Sequence, residues 1–80
     1  MRTKINLPKS GMGIEEGTVA RWRKAVGDEV RRGEIVVEVE TEKAVQEVEA
    51  PCSGTLVRIL VGEGQTTPVN SALGEIEEQG

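Results

Sequence analysis

The sequence predicts an all-β sandwich or barrel, on three observations. Short runs rich in valine and isoleucine alternate apolar and polar residues with period two, the mark of a half-buried strand. Clusters containing glycine, proline, asparagine or serine separate these runs at intervals of about 8–12 residues. The second half of the chain also partly repeats the first. At 80 residues with ten glycines and three prolines, this is one small domain with many turns.

The first strand is Lys4-Ile5-Asn6-Leu7, closed by Pro8. Lys9 to Gly13 is a loop punctuated by two glycines. Thr18 to Val26 follows as a strand with partial alternation at Val19, Arg21 and Trp22. A helix over Glu15 to Ala25 is the weaker reading, because Gly17, Thr18 and Val19 disfavour it. Gly27-Asp28 and Arg31-Arg32-Gly33 mark turns. Ile35 to Thr41 alternates well, with Ile35, Val37 and Val39 on one face and Glu38 and Glu40 on the other. Ala44 to Ala50 continues the pattern, and Pro51 to Gly54 turns the chain. Thr55 to Val61 is a more continuous apolar run broken by Arg58, followed by the turn Gly62-Glu63-Gly64. Thr67 to Val69 and Leu73 to Ile76 complete the fold. The domain is assigned residues 1–77, with 78–80 as a tail or the start of a linker. The acidic tail ending at Gly80 favours a domain excised from a longer chain.

A shift of 37 positions lays Gly17-Thr18-Val19-Ala20-Arg21-Trp22 over Gly54-Thr55-Leu56-Val57-Arg58-Ile59. The same shift lays Gly27 over Gly64, and Val36, Glu38, Val39 and Glu40 over Leu73, Glu75, Ile76 and Glu77. This predicts two similar four-strand halves packed together. Lys43 falls over Gly80. If a two-fold axis relates the halves, the turn at Lys43 and the chain termini lie at opposite ends.

Composition excludes several functions. The formal net charge is −4 and Trp22 is the only aromatic residue, so the basic stripe and stacking platforms of nucleic-acid binders are absent. The chain has no histidine, which removes Ser-His and Cys-His nucleophile pairs and most metal sites. Cys52 is the single cysteine, so there is no disulfide framework, and it is expected to be a small packing residue. No apolar stretch approaches the roughly 18 residues of a membrane-crossing helix. Met1 to Lys4 does not lead into the apolar segment of a secretion signal. A reducing, soluble compartment is expected.

Between the runs ending at Glu40 and starting at Ala44 stands Thr41-Glu42-Lys43-Ala44, with Glu42 and Lys43 as its two central residues. Neither is glycine or asparagine, which disfavours a type I′ turn and favours an ordinary type I turn projecting Lys43 into solvent. A lysine at a turn is commonly just a solvated charge. Here Glu38, Glu40, Glu42, Glu47 and Glu49 form an acidic field, which favours the charged amine. Catalytic lysines need the opposite, so Lys43 is better placed as an attachment site than as a base or Schiff-base amine.

These residues resemble a lipoyl domain, the swinging-arm carrier of the 2-oxo acid dehydrogenase complexes. The resemblance spans essentially the whole chain. It comprises Glu16-Gly17-Thr18-Val19, Trp22, Val26 to Val30, Gly33-Glu34, Glu38 to Ala44, Glu47 to Pro51, Gly54, Ile59 to Val61 and Pro68-Val69, in order. It implies a flattened barrel of two four-stranded antiparallel sheets with quasi-two-fold symmetry. It also implies lipoic acid joined by an amide to Lys43, with Thr41, Glu42 and Ala44 as turn and ligase-recognition context. The implied partners are a decarboxylase (E1), an acyltransferase catalytic domain (E2), a dihydrolipoyl dehydrogenase (E3) and a lipoyl ligase or octanoyl/lipoyl transferase. The domain itself would catalyse nothing and would be a monomer in isolation. The loop from Pro8 to Glu15 would serve recognition by the decarboxylase through Ser10, Gly11 and Met12, although Met12 suits a gap-filling role equally well. The implied location is cytoplasmic in a bacterium and the mitochondrial matrix in a eukaryote. Glu42 stands where the family usually has aspartate, Thr67 where it has valine, and Asn70 where it has glycine. Asparagine tolerates left-handed backbone, so the turn at Asn70 is expected to survive.

The nearest rival is a biotin carboxyl carrier domain, which shares the fold but typically flanks its lysine with methionines; here the neighbours are Glu42 and Ala44. The glycine-cleavage carrier is longer and has a different lysine motif. An unmodified adaptor binding through its acidic end is the alternative from another class. A hydrolase lacks any convincing nucleophile-base pair.

Overall fold

The computed structural model describes residues 1–7, 15–42 and 44–78. Eight strands form: β1 (Arg2–Asn6), β2 (Glu16–Trp22), β3 (Glu29–Val30), β4 (Ile35–Glu40), β5 (Val45–Glu49), β6 (Gly54–Ile59), β7 (Thr66–Pro68) and β8 (Ala72–Glu78). They make two four-stranded antiparallel sheets, ordered β1-β8-β6-β3 and β5-β4-β2-β7. The sheets face each other as a flattened sandwich and do not close into a barrel. Among the described residues there is no helix, so the helical alternative for Glu15 to Ala25 is excluded.

The internal repeat is real at the level of hydrogen bonds. β2, β3 and β4 correspond to β6, β7 and β8, and β5 corresponds to β1. The Gly27 amide donates to the Leu56 carbonyl at 2.7 Å, and its counterpart Gly64 donates to Val19 at 2.8 Å. Ala50 donates to Glu34 at 2.8 Å, as Leu7 does to Ser71 at 3.0 Å. A register irregularity between Val19 and Arg21 is matched by one between Leu56 and Arg58. Gly33 has φ +87° and its counterpart Asn70 has φ 67°. This left-handed backbone is what the turn requires, and asparagine supplies it as expected.

The core is aliphatic. Ile5, Leu7, Val19, Val30, Val36, Val37, Val39, Val48, Ala50, Leu56, Leu73 and Ile76 are buried, and Trp22, Cys52, Ile59, Val61 and Val69 pack against them. β4 and β8 each contribute a bulged residue to this core. Ile35 pairs with Glu49 and Val37 with Val48, leaving Val36 unpaired, and it is fully buried like its counterpart Leu73. Simple alternation fails here: Val36 joins Val37 inside and Ile35 is only half-buried. Buried Thr67 takes the place that Val30 has in the other half, with the same branched shape.

Three other sequence expectations are corrected. β3 has only two residues, too few for periodicity, although its counterpart β7 was legible. β2 ends at Trp22 and Val26 is exposed, because Gly27 must cross to the other sheet to reach Leu56. At the C-terminal end, Glu77 and Glu78 belong to β8; Arg2 pairs with Glu77 at 3.3 Å, and the Glu78 amide donates to the Met1 carbonyl at 2.8 Å.

Two surface carboxylates report on acid stability. The Arg31 amide and the Lys24 ammonium hold Glu34 below its ordinary pKa of 4.5. Hydrogen bonds from Thr3 and then Cys52 do the same for Glu78. Both pKa values are lower in the folded state, so their contribution is fully present above pH 4.5 and is lost as pH falls through the folded values. Thermal midpoints measured from pH 7 downward should therefore stay level, then drop in acid. The Glu34→Gln/Glu78→Gln variant should show a shallower drop; an unchanged slope would contradict the assignment.

Candidate functional site

Among the described residues, β4 and β5 are the only strands that are neighbours both in sequence and in a sheet. Their last paired residues are Glu40 and Val45, and Thr41 and Ala44 close the connection between them. The Thr41 amide donates to the Ala44 carbonyl at 2.9 Å. The Thr41 hydroxyl donates to the same carbonyl at 2.9 Å and accepts from the Ala44 amide at 3.3 Å. Threonine thus fits twice, as a β-branched strand residue and as a side-chain clasp across the turn. Glu42 and Ala44 are exposed. Types I′ and II′ need positive φ at the first central position, yet Asn70 is the only described non-glycine residue with positive φ. Glu42 therefore follows neither type. Lys43 lies outside the described residues, as do Ser10, Gly11 and Met12.

The clasp has a symmetry mate. Thr41 and Ala44 correspond to Glu78 and Met1, so the hairpin base in one half is matched by the Met1–Glu78 pair in the other. β2 starts beside Glu40 and ends at Trp22, whose indole N–H donates to the Val61 carbonyl at 2.8 Å, just beyond β6. β6 starts beside Glu78 and ends at Ile59. The two strands run inward from opposite ends, so the Thr41–Ala44 clasp and the Met1–Glu78 pair lie at opposite ends of the sandwich.

Glu16, Gly17, Thr18, Glu40, Thr41, Glu42 and Thr66 line a shallow groove of about 290 Å³ beside the clasp. The acidic field is thinner than the sequence implies. Glu38 and Glu47 both pair with Arg23, leaving Glu16, Glu40 and Glu42 as the carboxylates at the groove. Sequence reasoning missed Arg23, because only the register of β4 against β5 brings Glu38 opposite Glu47. Leu7 and Glu15, the described residues that flank positions 8–14, lie at this end. Leu7 accepts from the Asn70 amide at 2.8 Å, and Glu15 accepts from Val69 at 2.9 Å. Leu7 also packs against Gly17, which adjoins Val39 and Glu40. Cys52 is half-buried at the other end, and burial, offset in part by a Thr3 hydrogen bond, pushes its thiol pKa up. A raised thiol pKa leaves less of the nucleophilic thiolate at neutral pH.

A family model described as "Biotin-requiring enzyme" matches residues 3–76. The chain is 46% identical over 78 residues to the dihydrolipoyllysine-residue succinyltransferase component of the 2-oxoglutarate dehydrogenase complex of Rickettsia conorii, covering 98% of this chain and 20% of that protein. It is 42% identical to the acetyltransferase component of the acetoin cleaving system of Bacillus subtilis, covering 91% of this chain and 18% of that protein. The chain thus spans about a fifth of the length of these curated relatives. The solution structure of the lipoyl domain of the Azotobacter vinelandii 2-oxoglutarate dehydrogenase complex superimposes with a TM-score of 0.73 at 37% identity, covering 95% of this chain and 99% of that one.

Proposed function

The chain belongs to the family of biotin- and lipoyl-carrying domains, and on that premise we propose that it is a non-catalytic lipoyl carrier with Lys43 as the attachment residue. The observation that carries this reading is the clasped β4–β5 connection, where Thr41 and Ala44 bracket Glu42 and Lys43. Both described neighbours of Lys43 are exposed, which suits an amide link to a long arm. When attached, a lipoyl group supplies a dithiolane that carries acyl groups and a pair of electrons.

The chain's own residues supply position. Thr41 fixes the turn, the two sheets form the body behind it, and Met1 and Glu78 pair at its far end. A carrier tethered this way keeps its cargo at high effective concentration near successive active sites, without new contacts. Amide formation also removes the lysine charge, leaving the acidic groove dominant at this end. The parent chain would be a dihydrolipoyllysine-residue acyltransferase working with a decarboxylase (E1) and a dihydrolipoyl dehydrogenase (E3), and a lipoyl ligase would load the domain. Lipoate is favoured over biotin because the named relatives are dihydrolipoyllysine proteins and Lys43 is flanked by Glu42 and Ala44.

Intact mass after incubation with lipoate, ATP and a lipoyl ligase should rise by one lipoyl group. Incubation with biotin and a biotin ligase should leave the mass unchanged. An unmodified chain in the first reaction, or a biotinylated one in the second, would overturn the reading.

A further inference from the structure

The two halves differ in the charge that faces one carboxylate of β4 and its counterpart in β8. On the terminal sheet, Glu75 of β8 lies opposite Arg58 on one side and Lys4 on the other. On the hairpin sheet its counterpart Glu38 lies opposite Arg21 on one side and Glu47 on the other. Like charges directly opposite on neighbouring strands repel and loosen the pair. β5 is also an edge strand whose sole sheet neighbour is β4, so this repulsion acts on the one ladder that holds the hairpin together.

Arg23 answers the repulsion. It stands just beyond β2, with its backbone amide donating to the Val36 carbonyl at 2.8 Å. Its Nε donates to Glu38, and its Nη2 donates to Glu47 Oε2 at 3.3 Å. One planar guanidinium thus reaches over β4 and ties edge strand β5 to the body of the sheet. The counterpart of Arg23 in the other half is Leu60, and there Glu75 lies opposite Lys4 in register and pairs with Arg2 of the same edge strand at 3.7 Å.

We infer that Arg23 is a positioning residue for the attachment hairpin. It bridges the Glu38–Glu47 pair and so holds the Thr41–Ala44 clasp in one register for the enzymes that load and use Lys43. The functional half of this statement rests on the carrier reading; the clamp itself does not.

The test uses Arg23→Gln, and Arg23→Gln/Glu47→Lys, which copies the Lys4–Glu75 arrangement into the hairpin. In Arg23→Gln, amide hydrogens of β5 and Ala44 should exchange about threefold to tenfold faster, the scale of a lost surface fork plus an exposed like-charge pair. Those of β1 and β8 should stay at wild-type rates. The double variant should return β5 to within about twofold of wild type, since an opposite-charge pair replaces the like-charge one. For lipoyl ligase, Arg23→Gln should raise KM about threefold with kcat unchanged, and the double variant should restore KM. Unchanged β5 exchange, equal acceleration in both sheets, or no rescue by Glu47→Lys would overturn the clamp. Altered exchange with unaltered KM would overturn its role in presentation. A wild-type chain that accepts no lipoate would sink the carrier reading alone, because the exchange measurement does not depend on it.

Discussion

Lys43→Gln is expected to abolish lipoylation completely while changing stability by no more than about 0.5 kcal/mol, the usual range at positions outside the packed core. The chain has four lysines, Lys4, Lys9, Lys24 and Lys43. Lys24 is engaged with Glu34 at 3.2 Å, and Lys4 lies within a paired strand opposite Glu75. Only Lys43 stands in the short connection between Thr41 and Ala44. The bonds that close that connection come from the Thr41 and Ala44 backbones and the Thr41 hydroxyl, none of which glutamine would remove. Glutamine keeps the length and polarity but has no nucleophilic amine. Intact mass and chemical denaturation test the two halves separately. A lipoylated variant would move the attachment site elsewhere; a loss above about 1 kcal/mol would give Lys43 a structural role.

Gly54→Ala should be the most damaging glycine-to-alanine change among the described residues, lowering stability by at least about 3 kcal/mol, at or beyond the usual cost of overpacking. A Cβ on Gly54 would lie 2.1 Å from the Glu77 carbonyl oxygen and 2.9 Å from Ile76 Cγ2. Gly54 is paired to β3 on one side and β8 on the other, so neither backbone can retreat without opening a ladder. A domain of this size holds roughly 4–12 kcal/mol in total, so much of the population would unfold. The symmetry mate Gly17 calibrates the argument. There a Cβ would meet the Val39 Cγ1 methyl at 2.5 Å, while the Glu40 carbonyl is 3.5 Å away. A side chain yields more readily than a carbonyl, so Gly17→Ala should cost less. Urea unfolding of both variants checks the ranking; equal losses would show that the backbone contact is not the cause.

Much of this was legible in the sequence because the strands alternate and the chain repeats. Gly17 over Gly54 and Val39 over Ile76 describe one steric arrangement used twice, so similarity at those positions carried structural meaning. Asn70 was legible because few side chains tolerate its backbone. β3 was not, since two residues carry no period. Burial of Val36 was not, because a bulge breaks alternation without leaving a sequence mark. At the site, the Thr41-to-Ala44 turn followed from the flanking strands alone. Arg23 did not, because its partners lie 15 and 24 residues away and meet it only once three strands are in register.

The pattern of pairing also sets an order of assembly. Every ladder except β4–β5 joins strands that are distant in sequence, the extreme being β1 with β8. Such closures cost chain entropy before any contact repays it, which places the domain among slow-folding, high-contact-order topologies for its length. The β4–β5 hairpin alone can form locally. The segment that presents Lys43 is therefore the natural first element of the folding nucleus, around which the distant strands are recruited.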